Sequence, residues 1–486
     1  MAKNEAQTRR DLVDPALSAG GWTRDHVKVE VSTGAYDMVT KKRRQGRTDY
    51  LLRIIASRDT QPVAVALIEA KAEDKSPGFG LQQGKRDGDI DRLNVKFVFS
   101  TNGHQFVEYD KFTGMTSAPK PMSEFPTEGE LRRRYEKGMG FPLESEAAKP
   151  LLIKYTGGEG ERRYYQDAAI RGALEKIAQG KNRVLLSLAT GAGKTFIAVN
   201  LLKRIADAGS LRKALFLCDR DELRTQALNA FQGKFGSNAA AVENGNPQKN
   251  AKIIIATYQS LGLEENDDAG FFTGHYPENY FSHIVIDECH RSAWNKWSLP
   301  LVKNEKAVHV GLTATPRILK VKEDTEEFRE DDKITANNVR YFGEPVYEYG
   351  MLQAIEDGFL AACEIQRGSV DLDNTGISFE DVLRRNPRDW NTGLPAAEAD
   401  LKDLYEKTDY ESKIMLPDRV FAMCKDLFDH LVKTGQPEQK TIVFCVRDIH
   451  AELVSAELNN LYTEWCKTRG KTPAAHYAFK CTSKSG

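Results

Sequence analysis

Leu188-Ala189-Thr190-Gly191-Ala192-Gly193-Lys194-Thr195 follows the apolar run Val184–Leu188 and opens a helical pattern from Thr195 to Ala206. Strand, glycine loop, helix is the order that turns backbone N–H groups onto phosphate oxygens. Gly191 and Gly193 let the backbone curl, and the helix N-terminus adds positive potential. Lys194 is placed to reach the β- and γ-phosphates of a nucleotide such as ATP, and the Thr195 hydroxyl to ligate Mg²⁺. Thr190, Gly191, Ala192 and Gly193 line the cradle. The strict pattern has glycine where Leu188 stands. Taken alone, the run could be a glycine-rich turn before an ordinary helix.

Two later stretches make that bland alternative hard to hold. Ile284-Val285-Ile286-Asp287-Glu288 is an apolar strand ending in two carboxylates, and strand C-terminal ends are where ligands sit in open α/β sheets. Asp287 is expected to hold Mg²⁺, mostly through water, and Glu288 to polarise the attacking water. Gly311-Leu312-Thr313-Ala314-Thr315-Pro316 follows, and the hydroxyls of Thr313 and Thr315 could bond to the Asp287 loop and couple it to nucleotide state; the alternative is turn chemistry before Pro316.

Around these motifs, apolar strands alternate with helical patterns: Val184–Leu188, Ala214–Leu217, Ile253–Ala256, His283–Ile286 and His309–Leu312. That alternation predicts an α/β fold with a parallel sheet and right-handed crossovers. Residues 161–335 are read as this domain. Residues 1–112 read as a smaller α/β unit, with a helix over Glu5–Ala19 and strands at Lys28–Val31, Leu51–Ala56, Val63–Glu69 and Lys96–Ser100. Residues 113–160 read as a linker carrying one helix, Glu128–Lys137. Residues 336–486 combine an irregular charged stretch, Asp371–Glu411, a helix, and a strand at Lys440–Cys445.

A chain of 486 residues is too long for one core. A net charge of −1 argues against a uniformly basic nucleic-acid coat but not against local basic grooves. The seven cysteines are scattered with no CxxC pair, which fits reduced thiols rather than a disulfide frame or zinc module. The nine histidines show no HxxxH or HExxH spacing, so no structural metal is expected. The N-terminus lacks the apolar core of a secretory signal, and the longest apolar stretch is interrupted by the glycine loop. A bacterial or archaeal cytoplasmic location without membrane contact is the expectation.

On these motifs, residues from about 160 to 486 resemble superfamily 2 DEAD/DEAH-type helicases and translocases. The resemblance implies a RecA-like motor domain and the start of a second one. It implies that Gln166 reads adenine and that Arg220, Gln226 and Thr257, in Phe216-Leu217-Cys218-Asp219-Arg220 and Ala256-Thr257-Tyr258-Gln259-Ser260, contact the DNA backbone. Cys289 replaces the usual alanine of the acidic box, a packing position. Lys440–Cys445 resembles the strand that opens the second motor domain. The arginine finger of that family has no counterpart before Gly486, so the chain reads as a piece of a longer polypeptide.

In the N-terminal unit, Asp49 precedes one strand, and Glu69 and Lys71 end the next, with the turn Ser57-Arg58-Asp59-Thr60-Gln61-Pro62 between them. A hairpin centred near Asp59-Thr60 sets Asp49 opposite about residue 70, and residues two apart on a strand share a face. Asp49, Glu69 and Lys71 then converge at one hairpin end. Two carboxylates suit Mg²⁺, which would activate water for phosphodiester cleavage; a solvated hairpin end is the alternative. The layout is that of PD-(D/E)xK nucleases. With Thr8–Leu17, Gly20-Gly21-Trp22, Gly46-Arg47-Thr48-Asp49-Tyr50, Glu69-Ala70-Lys71 and Ser100-Thr101-Asn102-Gly103, it resembles the nuclease of type I restriction R subunits. Nuclease-first order favours type I over type III. Gln82 and Gln83 are candidates for the family's Gln-x-x-x-Tyr element, though no tyrosine follows at the right place. The basic run Lys41-Lys42-Arg43-Arg44 with Arg47 could steer a phosphate backbone or be a solvated loop. Trp294 and Trp297 are expected in packing.

The resemblance implies an ATP-driven duplex DNA translocase joined to an Mg²⁺-dependent endonuclease, with site recognition delegated to methyltransferase and specificity subunits. No helix-turn-helix or zinc finger reads bases here. Two other readings remain: a stand-alone superfamily 2 helicase or remodelling motor with a degenerate nuclease fold, and a non-catalytic DNA- or partner-binding fragment.

Overall fold

A computed structural model describes residues 2–32, 35–37, 42–44, 47–81, 89–155, 163–263, 269–289, 298–314, 338–362, 366, 377–389, 394–396, 404–405 and 415–481. The expected N-terminal helix forms as one segment, α1, built from an α-helical turn (Glu5–Thr8), a π-helical stretch (Arg9–Val13) and a second α-helical piece (Asp14–Ala19). Asn4 and Gln7 form a reciprocal capping box at its start. Val13 and Leu17 enter the core, and Asp14 accepts a 2.7 Å bond from the Tyr50 hydroxyl.

This helix packs against a mixed sheet of strands β1 (Val27–Ser32), β2 (Arg47–Ile54), β3 (Val63–Ala70), β4 (Phe97–Thr101) and β5 (Gln105–Asp110), in that spatial order. Neighbours are antiparallel except β3 and β4, which are parallel. The crossover between them ends in a short helix, α2 (Asp89–Arg92). β3 is buried at every position, so its Val-Ala-Val-Ala-Leu-Ile run fits a central strand, and Glu69 at its end is a buried carboxylate.

The stretch expected to be a linker is instead structural core. Its helix α3 (Glu128–Met139) buries Leu131, Tyr135 and Met139, and Phe125, Phe141, Leu143 and Leu151 are buried beside it. Trp22 donates to Pro126 O at 2.9 Å on one side, and Arg204 donates to Pro150 O at 3.1 Å on the other. The prolines had suggested a spacer, but the apolar residues between them join two sheets into one continuous core.

The second sheet follows helix α4 (Tyr164–Ala178). Its members are β6 (Arg183–Leu188), β7 (Ala214–Cys218), β8 (Ala239–Ala241), β9 (Ile253–Thr257), β10 (His283–Ile286), β11 (Val308–Thr313) and β12 (Tyr347–Tyr349). The seven strands are ordered β8-β9-β7-β10-β11-β6-β12 and all pairs are parallel. Helix α5 (Lys194–Asp207) follows β6, and α6 (Asp221–Phe235) follows β7. The five expected strands are all present. The two edge strands, of three residues each, carry too little apolar pattern to read from sequence. Because β12 joins this sheet and helix α7 (Met351–Glu356) follows it, the first compact unit runs to Ala362, past the boundary expected at residue 335.

Two histidines make this sheet acid-sensitive. His309 Nε2–H donates to Asn304 O at 2.9 Å, and Nδ1 lies 2.7 Å from the Tyr341 hydroxyl, which donates to it when the imidazole is neutral. Burial chiefly, with Arg183 adding to it, lowers the His309 pKa to about 3, and burial lowers that of His283 to about 4. Unfolded histidine titrates near 6.5, so below that pH the unfolded chain binds protons that the folded sheet refuses. The stability carried by the two groups is whole above pH 6.5 and declines as acidification approaches their folded pKa values, by about 1.4 kcal/mol per pH unit for each. His309→Gln is expected to reduce the fall in melting temperature between about pH 6 and pH 4.5 to roughly half. An unchanged slope would rule this out.

The second compact unit, residues 363–486, is built on helices α8 (Pro417–Thr434) and α9 (Asp448–Thr468). They pack through Val420, Cys424 and Phe428 against Val454, Leu458, Tyr462 and Cys466. The expected strand Lys440–Cys445 is not formed. A strand needs a neighbour to satisfy its backbone, and among the described residues of this unit the pairings are confined to short pieces such as Ile377–Ser378 with Leu404–Tyr405. Ile442 and Phe444 are 80% and 92% exposed. The charged stretch Asp371–Glu411 lies largely outside the described residues, as do Gln82, Gln83, Trp294, Trp297 and Thr315.

Candidate functional site

β6 runs straight into the glycine loop. Leu188 is fully buried and paired with Tyr349, so the side chain at this usual glycine position is core packing. Gly191 (φ +84°) and Gly193 (φ +87°) both occupy left-handed backbone, which explains their residue type. A Cβ on Gly193 would also lie 2.5 Å from Gln166 Nε2. That amide donates to Ala192 O at 3.0 Å. Gln166 is therefore brought onto the loop itself. The expected helix begins at Lys194, and Thr195 lies on its first turn.

Lys194 is buried, and its Nζ lies 2.6 Å from Glu288 Oε1. Glu288 sits just past β10 in left-handed backbone, φ +52°. A non-glycine residue held there costs about 1–3 kcal/mol, and such strain concentrates at functional sites. The turn brings Glu288 back to the lysine while Asp287, its neighbour, stays buried. Burial lifts the Asp287 carboxyl to about 6, with Lys194 opposing and Glu288 adding to the rise. Cys289 fills a packing position: a Cβ on Gly311 would approach its Sγ to 2.9 Å. Thr313 ends β11 in register with Ser187 of β6 and is fully buried.

An aromatic support for this loop escaped the sequence reading. The Tyr165 ring stacks on Tyr349, 3.8 Å between centroids and 10° between planes. The Tyr165 hydroxyl donates to Ala192 O at 2.9 Å, and Ala189 N–H donates to Tyr349 O at 2.8 Å. Tyr349 lies far along the chain from the loop, so no local pattern could point to it.

The second cluster sits at the end of the β2–β3 hairpin. Tyr50 pairs with Ile68, so Asp49 falls beside Glu69 and Ala70, and Asp49 Oδ2 accepts from Ala70 N–H at 2.7 Å. Lys71 Nζ lies 3.5 Å from Glu69 Oε2. The expected convergence of Asp49, Glu69 and Lys71 is present. α1 adds two groups that the sequence reading did not assign: Arg9 reaches Asp49 Oδ1 at 3.1 Å, and Glu5 lies 3.9 Å from Lys71. They are four apart on one helix, which was the available signal. Burial raises the Asp49 pKa above its ordinary value, against the Ala70 N–H and Arg9. Gly80 closes the site: a Cβ there would meet Lys71 Cε at 2.8 Å and Ser100 Oγ at 2.9 Å.

Among the described residues, no group of three or more His, Cys, Asp or Glu side chains could hold a metal ion. The donors at the hairpin end are two buried carboxylates. That set suits Mg²⁺, which binds through one or two carboxylates and keeps much of its water.

The residues expected to touch DNA divide. Arg220 has a side chain 64% exposed at the start of α6, and Gln226 is exposed on that helix. Thr257 differs: it is buried, and its hydroxyl accepts from Ser260 N–H at 3.1 Å. It holds a turn after β9, so its side chain is not a surface contact. Lys42–Arg44 pairs with Ala35–Asp37 as a small antiparallel ribbon; Lys41 lies outside the described residues.

A parallel sheet with a glycine loop at one strand end and paired acids at a nearby one defines a RecA-like P-loop protein. Residues 159–318 match the family model described as type III restriction enzyme, res subunit. The chain is 31% identical over 477 residues to the type I restriction enzyme EcoAI endonuclease subunit of Escherichia coli, covering 96% of this chain and 55% of that one. It is 30% identical over 416 residues to the EcoKI endonuclease subunit of E. coli strain K12, covering 76% of this chain and 32% of the relative. The fragment structure assigned to an HsdR subunit of a type I restriction enzyme from Vibrio vulnificus YJ016 is 32% identical, with a TM-score of 0.69, and the match covers 97% of this chain and 77% of that one. The chain belongs to the type I restriction enzyme endonuclease (HsdR) subunit family. It spans about half the length of the EcoAI relative, 55%.

Proposed function

We propose that this chain is the nuclease and motor portion of a type I restriction complex, in which ATP hydrolysis drives translocation along duplex DNA and Mg²⁺-dependent chemistry cuts it. Residues 1–112 are the PD-(D/E)xK nuclease, 113–160 join it to the first RecA-like domain, and the region past Ala362, rather than past 335, leads into the second. The observation that carries this reading is the convergence of Asp49, Glu69 and Lys71 in the same compact unit as the phosphate loop.

At the motor site, the loop amides and Lys194 would hold the phosphates of ATP, and Gln166 would sit beside its adenine. Phosphate would compete with Glu288 for the Lys194 ammonium, now 2.6 Å away. Releasing Glu288 frees it to polarise a water. Thr195 and Asp287 would hold the nucleotide's Mg²⁺. Thr313 and Thr315 would link this pocket to movement, with Arg220 and Gln226 on the DNA backbone.

At the nuclease site, Asp49 and Glu69 would hold Mg²⁺, which when bound supplies Lewis-acid polarisation and a more acidic water. Lys71, confined by Gly80, would orient that water and, through its positive charge, favour its deprotonation and the charge developing on the phosphate. Arg9 steadies Asp49 from the helix. Methyltransferase and specificity subunits would supply site recognition, in the bacterial or archaeal cytoplasm. In a plasmid-cleavage assay with those subunits, cutting is expected to require both ATP and Mg²⁺. Cleavage that proceeds at the same rate without ATP would overturn the proposal.

A further inference from the structure

The sheet that carries Asp49 and Glu69 also reaches the support of the phosphate loop. Arg92, at the end of α2, donates to Asp357 Oδ1 at 3.1 Å and to Glu356 Oε2 at 3.0 Å. The Asp357 side chain is fully buried and that of Arg92 is 13% exposed. The other oxygen of Asp357 accepts from the Tyr164 hydroxyl at 2.5 Å and from the Tyr349 hydroxyl at 2.7 Å. The Tyr347 hydroxyl in turn donates to Arg92 O at 2.7 Å. Asp357 is thus a node with Arg92 on one side and the two tyrosines on the other.

Tyr349 is the ring that stacks on Tyr165, and its backbone oxygen receives the Ala189 N–H. Tyr165 holds Ala192 O. Both ends of the glycine loop are therefore tied to a pair of rings whose edge is fixed by Asp357. A buried carboxylate is tolerated only when its hydrogen bonds and countercharge are in place. Without Arg92, Asp357 would keep its tyrosines but lose its cation, and the simplest relief is to turn or protonate.

We propose that Arg92, on the crossover helix α2 of the nuclease-side sheet, is a positioning residue for ATP: through Asp357, Tyr349 and Tyr165 it sets the posture of the loop Ala189–Gly193, so that the two sheets must be docked for the nucleotide to be gripped. This rests on reading that loop as the ATP site. The same junction contains an internal control. Lys96 pairs with Glu175 at 3.0 Å, and Tyr135 donates to Glu175 at 2.7 Å. This ion pair is buried in the same interface, but it ties β4 to α3 and α4 rather than to the tyrosines that hold the loop.

The test is ATP binding by calorimetry and steady-state ATP hydrolysis with the whole protein in its complex, for Arg92→Met, Asp357→Asn, Lys96→Met and Lys194→Ala. Arg92→Met and Asp357→Asn are each expected to raise Kd and KM for ATP about tenfold while kcat changes less than about twofold, with the double variant no worse than either single. Arg92→Lys, which keeps the charge but not the two-pronged reach, is expected to fall between. Tyr349→Phe removes only the hydroxyl and keeps the stack; it raises Kd by a smaller factor and serves if the charge variants fail to fold. Lys96→Met is expected to lower the melting temperature without moving Kd. Unchanged ATP affinity in Arg92→Met and Asp357→Asn, or an equal loss in Lys96→Met, overturns the proposal. ATP affinity that is undiminished in Lys194→Ala sinks the assignment of the loop instead, a separate result.

Discussion

Lys194→Ala is expected to reduce ATP turnover by about 10²–10³-fold and to weaken ATP binding with it. The magnitude is that of removing one preorganised donor from a charged, partly dry site. Lys194 is buried at the first position of α5, with its ammonium aimed at the strand end that carries Asp287 and Glu288. The loop amides and the helix N-terminus survive the substitution, so some phosphate affinity remains. A direct check is the shift in melting temperature on adding ATP. A ligand at a hundred times its Kd stabilises by about 2.7 kcal/mol, and that shift should nearly vanish in the variant. Loss of the Glu288 ion pair lowers the ATP-free melting temperature too, so the difference with and without ATP is the quantity to compare. A shift equal to that of the unaltered protein would mean that this lysine does not hold the nucleotide.

What was legible in the sequence followed from local rules. The five central strands of the parallel sheet were readable because each is an apolar run fenced by polar turns, and the glycine loop because its two left-handed glycines have no substitute. The hairpin geometry at Asp49 was readable from counting residues about a turn, and the pairing of Tyr50 with Ile68 agrees with that count to within one residue. What was not legible depended on partners far away in the chain. Tyr349, Asp357 and Arg92 meet only after the two sheets have docked. Arg9 and Glu5 reach the hairpin end only through the packing of α1.

The misread elements have the same cause. Residues 113–160 looked like a spacer because prolines surround the one helical piece, yet Leu131, Tyr135, Phe141 and Leu151 are buried. Thr257 was expected at the DNA backbone because its motif resembles one in superfamily 2 motors, yet its hydroxyl is spent on its own turn. Lys440–Cys445 has the residue pattern of a strand. An apolar, β-branched run is a capacity to pair, and in the described residues of this unit it has nothing to pair with.

Lys71→Ala is expected to lower DNA cleavage by about 10²–10⁴-fold, the range for removing a positioned acid–base group, while ATP hydrolysis stays within about twofold. Asp49→Asn should behave alike, since it removes a charge at the proposed cation site without changing shape. The separation of the two activities is the decisive feature. Lys71 contacts Glu69 and Glu5, whereas the phosphate loop is held by Tyr165, Gln166 and Tyr349. A general loss of folding would depress both activities together. Because the Lys71 side chain is only 11% exposed and Gly80 blocks its other side, it has little room for an alternative salt-bridging surface role. If cleavage in the intact complex were unaffected by both substitutions, the hairpin end would be a structural ion cluster, and the bond-breaking step would have to be sought outside residues 1–112. If cleavage alone were lost, two carboxylates and a lysine at one hairpin end would suffice to explain where the DNA is cut.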